Sequence, residues 1–307
     1  MLDLNPYIRL IKSGEIVAFP TETVYGLGAD AWNPSAIKKI FDAKGRPSDN
    51  PLIVHVSKKD QVKEFTTNIP EYAEILINKF WPGPITLVLN KKPHVLDALT
   101  AGLDTVALRM PDHTIALDFI EHTGPLVAPS ANKSGRPSPT KAEHVKTDFG
   151  EEFLVIDGGS TEIGLESTVL DLTSKHPVIL RPGKIGKDEI EQVLGTEVYV
   201  SSSDIKSPKS PGQKYTHYKP QASVFLGEID SLEDNTLYLT QNKYANSGNC
   251  INYAGDLPLL SKELYDRFRQ ADIEKYEAVF IEEFSDWKKD YPSLYEALIN
   301  RIRKALS

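Results

Sequence analysis

Four cations stand where secondary-structure patterns end: Lys44 and Arg46 in Lys44-Gly45-Arg46-Pro47, Arg109 before Met110-Pro111, and Arg181 before Pro182-Gly183. A guanidinium can grip a carboxylate or phosphate through two parallel hydrogen bonds, and a lysine adds a compact point charge to the same group. Between these cations lie segments rich in hydroxyls and amides: Phe19 to Gly28, Asn50-Pro51-Leu52 with His55, Pro129 to Thr140, and Glu166-Ser167-Thr168. Such groups can hold and orient a small anionic ligand. Each segment alone also has an ordinary reading, as a turn, a favourable charge at a helix C-terminus, a surface ion pair or a solvated loop. What sets them apart is that they recur at the ends of strand-like runs, where open α/β sheets bind ligands.

Other chemistries are poorly represented. Gly159 and Gly164 have phosphate-loop spacing, but Leu165-Glu166 follow where Lys and Ser or Thr are required. Tyr25-Gly26-Leu27-Gly28 lacks the third glycine of a dinucleotide fingerprint. The metalloprotease, paired-cysteine and hydrolase-elbow motifs are absent. The single cysteine, Cys250, excludes an internal disulfide and any multi-cysteine zinc site, and reads as a small buried apolar residue. Acidic residues outnumber Lys and Arg by 43 to 35, so a whole-protein grip on nucleic acid is not indicated and any weak RNA contact needs a local basic patch. The first residues carry no signal-peptide pattern, and no 18-residue apolar run occurs, so the expectation is a cytoplasmic protein without a membrane span.

The elements that must position these groups alternate between short apolar runs and helical periodicity. Asn5-Pro6 predicts a helix start, Ile8 and Ile11 its buried face, and Gly14 its end. Asn33-Pro34 repeats that grammar, with Ile37, Ile40 and Phe41 on one face and Gly45 beyond the end. Strands are expected at 16–19, 52–54, 85–89, 106–108, 126–128, 153–156, 169–170 and 178–180, with a helix at 188–194. The pattern is α/β, one domain over 1–200. Residues 201–221, dense in Ser, Pro and Lys, read as a linker. Strand-like runs at 224–226, 237–239 and 279–281 and helical ones at 264–273 and 294–306 predict a second, smaller α/β domain over 222–307.

In combination and order, these segments resemble the YrdC-like domain of the threonylcarbamoyl-AMP synthase family. The family's hallmark is K-x-R followed by S-x-N, here Lys44, Arg46, Ser130 and Asn132. The resemblance extends through PTETVYGLG, Trp81 to Pro84, Arg109 to Pro111, SANKSGRPSPT, Glu166 to Leu172 and Arg181 to Gly183. Ser210 to Pro220 is similar to the linker of the longer branch, with Gln213 where Met is expected. The resemblance implies an open, twisted mixed sheet flanked by helices, followed by a Rossmann-like C-terminal domain.

It also implies a reaction in which L-threonine, bicarbonate or CO2 and ATP give threonylcarbamoyl-AMP and pyrophosphate. A tRNA threonylcarbamoyl-transferase then uses the product on an adenosine beside the anticodon. By that resemblance the catalytic set is Lys44, Arg46, Ser130 and Asn132. Thr23, His55, Arg109, Ser130 and Ser167 surround threonine. Lys44, Arg46, Asn50, Thr105, Asn132, Thr140, Arg181 and Tyr218 contact ATP, whose phosphates carry Mg2+. Tyr218 suggests that Lys214 to Lys219 closes over the cleft as a lid, the alternative being a passive tether. The rival functional reading is a double-stranded RNA-binding or ribosome-associated module built on the basic stretches SGRPSPT and KSPKSPGQKYTHYK.

Overall fold

The computed structural model describes residues 2–201, 218–241 and 244–306. The expected linker 201–221 and lid 214–219 fall mostly outside the described residues, which resume at Tyr218.

The helices are α1 (Asn5–Lys12), α2 (Pro34–Lys44), α3 (Val62–Phe65), α4 (Glu71–Phe80), α5 (Asp97–Thr100), α6 (Thr114–Thr123), α7 (Ala142–Phe149), α8 (Lys187–Leu194), α9 (Leu257–Glu274) and α10 (Pro292–Ala305). The strands of the larger sheet are β1 (Val17–Phe19), β2 (Gly26–Asp30), β3 (Ile53–His55), β4 (Ile85–Asn90), β5 (Thr105–Arg109), β6 (Leu126–Val127), β7 (Thr168–Asp171), β8 (Val178–Arg181) and β9 (Tyr199–Val200). They lie in the order β1-β2-β6-β3-β5-β4-β7-β8-β9. Pairs β3/β5, β4/β7 and β8/β9 are parallel and the others antiparallel, so the sheet is mixed as expected. The smaller sheet holds β10 (Ser223–Gly227), β11 (Thr236–Thr240), β12 (Cys250–Asn252) and β13 (Ala278–Glu282), all parallel, in the order β10-β13-β11-β12.

Local chemistry explains most boundaries. Asn33 Oδ1 accepts from the amides of Ser35 and Ala36 at 3.0 and 3.1 Å, capping α2, and Gly45 ends it in the left-handed conformation at φ 61°. Asn5 departs from expectation: it is the first helical residue rather than the cap, and Asp3 Oδ1 accepts from its backbone and side chain. The run 153–156 makes only an isolated parallel bridge, Ala18 to Val155. Strand β2, in turn, lies in the glycine-rich segment read as a ligand loop.

A large core of Leu27, Ile37, Ile40, Leu76, Leu87, Leu108 and their neighbours fills the N-terminal unit. A second core joins α9, α10 and the smaller sheet to Val24, Ile163 and Leu165 from the N-terminal unit. The two units therefore share buried apolar surface. Gly164, at φ 79°, makes this approach possible, because a Cβ there would meet the Ser261 carbonyl oxygen at 2.4 Å.

Candidate active site

The mixed sheet delivers cations to one place through strand register. In the parallel pair β3/β5, His55 lies opposite Arg109, and across β7/β8, Val169 lies opposite Arg181. The loop after α2 brings Arg46, and the bridge between Gly26 and Ser130 brings the 129–132 loop alongside β2. The result is one cavity of about 70 Å³ lined by Thr23, Arg46, His55, Arg109, Ser130, Ser167, Arg181 and Tyr218, together with Thr21, Tyr25 and Glu166. Arg46, Arg109 and Arg181 are each more than nine-tenths buried. Three dehydrated guanidinium groups on one cavity make a strong anion site, since Coulomb interactions there are weakly screened.

Each arginine is held by its surroundings. Arg109 donates from Nη1 to Thr23 Oγ1 at 2.8 Å and from Nε to the Gly83 carbonyl at 3.3 Å, and its Nη2 lies 2.6 Å from Glu22. Arg181 donates to the Ser167 carbonyl at 3.0 Å and to Ser167 Oγ at 3.1 Å, while Ser167 Oγ also contacts Thr86 Oγ1 at 2.8 Å. Arg46 donates to the Asn50 carbonyl at 3.2 Å.

His55 is neutral at ordinary pH: burial first, then the charge of Arg109, lowers its pKa from 6.5 to about 3. Its Nδ1 donates to the Ile53 carbonyl at 3.2 Å, which leaves Nε2 as an acceptor. Glu166 stays ionised. Burial would raise its pKa, but Arg301 and Arg181 override that and hold it at about 2.

Five sequence-predicted residues do not line this cavity. Lys44 is not in its lining and donates to the carbonyls of Ser130 and Asn132 at 2.6 and 2.5 Å, so the hallmark lysine fastens the hallmark loop. Burial, then neighbouring Arg46, lowers its pKa well below the usual lysine range. Asn132 donates to the carbonyls of Lys133 and Arg136, while its Oδ1 has no partner among the described residues. The fully buried Asn50 side chain likewise has none. Thr140 packs against His144. Thr105 begins β5, roughly 13 Å along the strand from Arg109, and faces Asn90.

Sequence reasoning missed Glu166 as a pocket residue and Glu22 as the partner of Arg109, although both stand inside quoted motifs. It also missed Arg301 and Tyr265, which reach Glu166 from α10 and α9. A larger cleft of about 440 Å³ between the units, lined by Glu162, Lys184, Asp188, Glu189 and Ser293 among others, gathers no comparable set of cations.

Comparisons with known proteins bear on the family and the fold. A family model described as "Telomere recombination" (Sua5_yciO_yrdC) matches residues 9–183. One described as "Threonylcarbamoyl-AMP synthase, C-terminal domain" matches residues 185–307. A threonylcarbamoyl-AMP synthase of Bacillus subtilis is 44% identical over 96% of this chain and 90% of its own length. One from Schizosaccharomyces pombe is 37% identical over 95% of this chain and 85% of its own. The crystal structure of Pyrococcus abyssi Sua5 complexed with L-threonine superposes with a TM-score of 0.89 at 40% identity, covering 98% of this chain and 93% of that one. With both halves matched and the fold shared along nearly its whole length, the chain belongs to the threonylcarbamoyl-AMP synthase family, in its two-domain branch.

Proposed function

We propose that this protein is an ATP-dependent L-threonylcarbamoyladenylate synthase, a nucleotidyltransferase acting in the cytoplasm in tRNA modification. The observation that carries the reading is the convergence of Arg46, Arg109 and Arg181 on one cavity that also holds Thr23, His55, Ser130 and Ser167.

The roles follow from charge and reach. Arg109, already fixed by Thr23, Gly83 and Glu22, receives the threonine carboxylate. Neutral His55, with Ser130, Ser167 and Thr23, surrounds the amine and hydroxyl. Arg46 and Arg181 face the phosphates. The threonine amine adds to the carbon of CO2 with loss of a proton, or to that of bicarbonate with loss of water, to give a carbamate whose oxygen attacks the α-phosphorus. That bond forms as the bond from the α-phosphorus to the bridging oxygen breaks, and pyrophosphate leaves with the electron pair. The nucleophile brings its own negative charge, so no side-chain base is required, and the pocket's work is orientation and the offsetting of anion repulsion. Lys44 acts behind this surface by fixing the 130–132 loop, and the unpartnered Asn50 side chain and Asn132 Oδ1 fit contacts to ATP.

Mg2+ would supply further charge neutralisation on the phosphates. The carboxylates at this site, Glu22 and Glu166, are engaged by Arg109 and Arg301, which fits a metal that arrives on the nucleotide rather than one held by the protein.

The cavity is far smaller than the several hundred Å³ usual for ligands of this size, so substrates require it to widen. Tyr218, in its wall, has a left-handed backbone at φ 69°, a conformation costly for a tyrosine. We infer that this residue moves when the cavity widens. The basic SGRPSPT stretch, by contrast, is tied inward: Arg136 pairs with Asp148 at 2.9 Å, which does not favour an RNA-binding role. The product would pass to a tRNA threonylcarbamoyl-transferase.

The test is pyrophosphate release with threonine and bicarbonate omitted one at a time. Dependence on both is the expected result, and release independent of either would overturn the assignment.

A further inference from the structure

Glu166 lines the cavity with Arg181, and a buried carboxylate left to itself would capture that arginine or take up a proton. Its oxygens are occupied from elsewhere. Ser138 Oγ donates to Oε1 at 2.6 Å, the Tyr265 hydroxyl lies 3.3 and 3.2 Å from the two oxygens, and Arg301 Nε donates to Oε2 at 2.8 Å. Arg301 is fully buried and holds the chain on both sides of the pocket wall. Its Nη2 donates to the Glu166 carbonyl at 3.3 Å and its Nη1 to the carbonyl of Pro182, next to Arg181, at 2.9 Å. Tyr265 belongs to α9 and Arg301 to α10, so two of the three side chains that engage Glu166 come from the C-terminal unit. Tyr265 also stacks on Tyr218 with ring centroids 5.3 Å apart, and the Arg301 guanidinium lies 5.7 Å from the same ring.

We propose that Arg301 and Tyr265 are positioning residues of the adenylate-forming site, and that by occupying Glu166 they keep Arg181 directed at the nucleotide phosphates. The C-terminal unit thus completes the pocket of the N-terminal one. The inference rests on the functional reading above and gives the second unit a defined part in it. Charge arithmetic sets the consequence. With Arg301 present, Glu166 and Arg301 cancel and Arg181 contributes a full positive charge. Without Arg301, the dehydrated carboxylate turns to Arg181, and the phosphates lose that cation.

The experiment measures KM for ATP, kcat and thermal unfolding of the full chain carrying Arg301→Met, Tyr265→Phe, or Arg301→Met together with Glu166→Gln. Arg301→Met is expected to raise KM for ATP roughly tenfold, at temperatures well below its unfolding. The double variant, with no unpaired buried carboxylate, is expected to return KM to within about threefold of wild type, and Tyr265→Phe to raise it by about two- to threefold. A merely structural role would lower the unfolding temperature and the active fraction while leaving KM for ATP unchanged. That result in both single variants, or a double variant as impaired in KM as Arg301→Met, overturns the proposal. Should Arg301→Met fail to fold, Tyr265→Phe and the double variant decide, since neither leaves a buried charge unpaired. An inactive wild type would defeat the functional reading and this inference together, whereas an active wild type with unshifted variants defeats this inference alone.

Discussion

Arg46 illustrates how one side chain carries a measurable share of the chemistry. Its guanidinium lines the cavity at 9% exposure, so a contact to phosphate there is charge-assisted and poorly screened. Arg46→Ala is expected to remove about 1.5–3 kcal/mol of interaction and to lower kcat/KM on the order of tenfold or more. Steady-state pyrophosphate release checks this, and near-normal turnover would place the phosphates elsewhere. The cavity cations Arg46, Arg109 and Arg181 were legible from sequence because each follows a recognisable element end and stands in a quoted motif. The role of Lys44 was not. Sequence presents it as a point charge for phosphate, whereas two of its three ammonium donors reach the Ser130 and Asn132 carbonyls, a tertiary contact 86 and 88 residues away that sequence does not display.

At the scale of elements, legibility followed local chemistry. Helix α2 was readable from end to end because Asn33, Pro34 and Gly45 encode its cap, first turn and stop. Asn33→Ala is expected to cost about 1 kcal/mol in urea unfolding while leaving substrate KM unchanged, because α2 is anchored by its buried face. A loss of activity at unchanged stability would mean that the cap also sets the Lys44-Gly45-Arg46 geometry. Strand β2 was not readable, since Gly26-Leu27-Gly28 has the composition of a turn. Its glycines are needed because the Phe19 ring crosses them: a Cβ on Gly28 would meet that ring at 2.9 Å. The 153–156 run failed the other way. It is apolar enough for a strand, yet Leu154 is exposed and only one bridge forms. Strand β12 was not readable either, because Cys250-Ile251-Asn252 puts only two apolar residues in a row between polar flanks.

On the scale of the whole molecule, the two units are joined by buried and half-buried charges as well as by a shared apolar core. Arg269 on α9 pairs with Asp148 of α7 at 3.0 Å and donates to the Pro137 carbonyl, while Asp266 accepts from Lys141 at 2.9 Å and contacts His144 at 3.0 Å. None of this is visible in sequence, because the partners are separated by more than 120 residues and each looks like an ordinary surface charge on a helix. These contacts make stability depend on pH in a definite direction. His55 is held at about 3 by burial and then by Arg109, below its ordinary 6.5. Glu166 sits at about 2 because its arginines outweigh burial, and Asp266 at about 2 because its bonds to His144 and Lys141 do so. In all three cases the unfolded chain binds protons at a higher pH than the folded one. Stability is therefore expected to fall as pH drops below about 6.5, and most steeply between about 4.5 and 2, where the two carboxylates contribute. Urea unfolding across that range checks the slope, and a flat profile would mean that these groups are not buried as described.

The convergence of three arginines on one cavity is tested most directly by a crystal structure of the protein with L-threonine and a non-hydrolysable ATP analogue. The account predicts the threonine carboxylate on Arg109 and the phosphates against Arg46 and Arg181, with Tyr218 displaced or closed over them. Nucleotide bound in the 440 Å³ cleft between the units, away from those arginines, would contradict it.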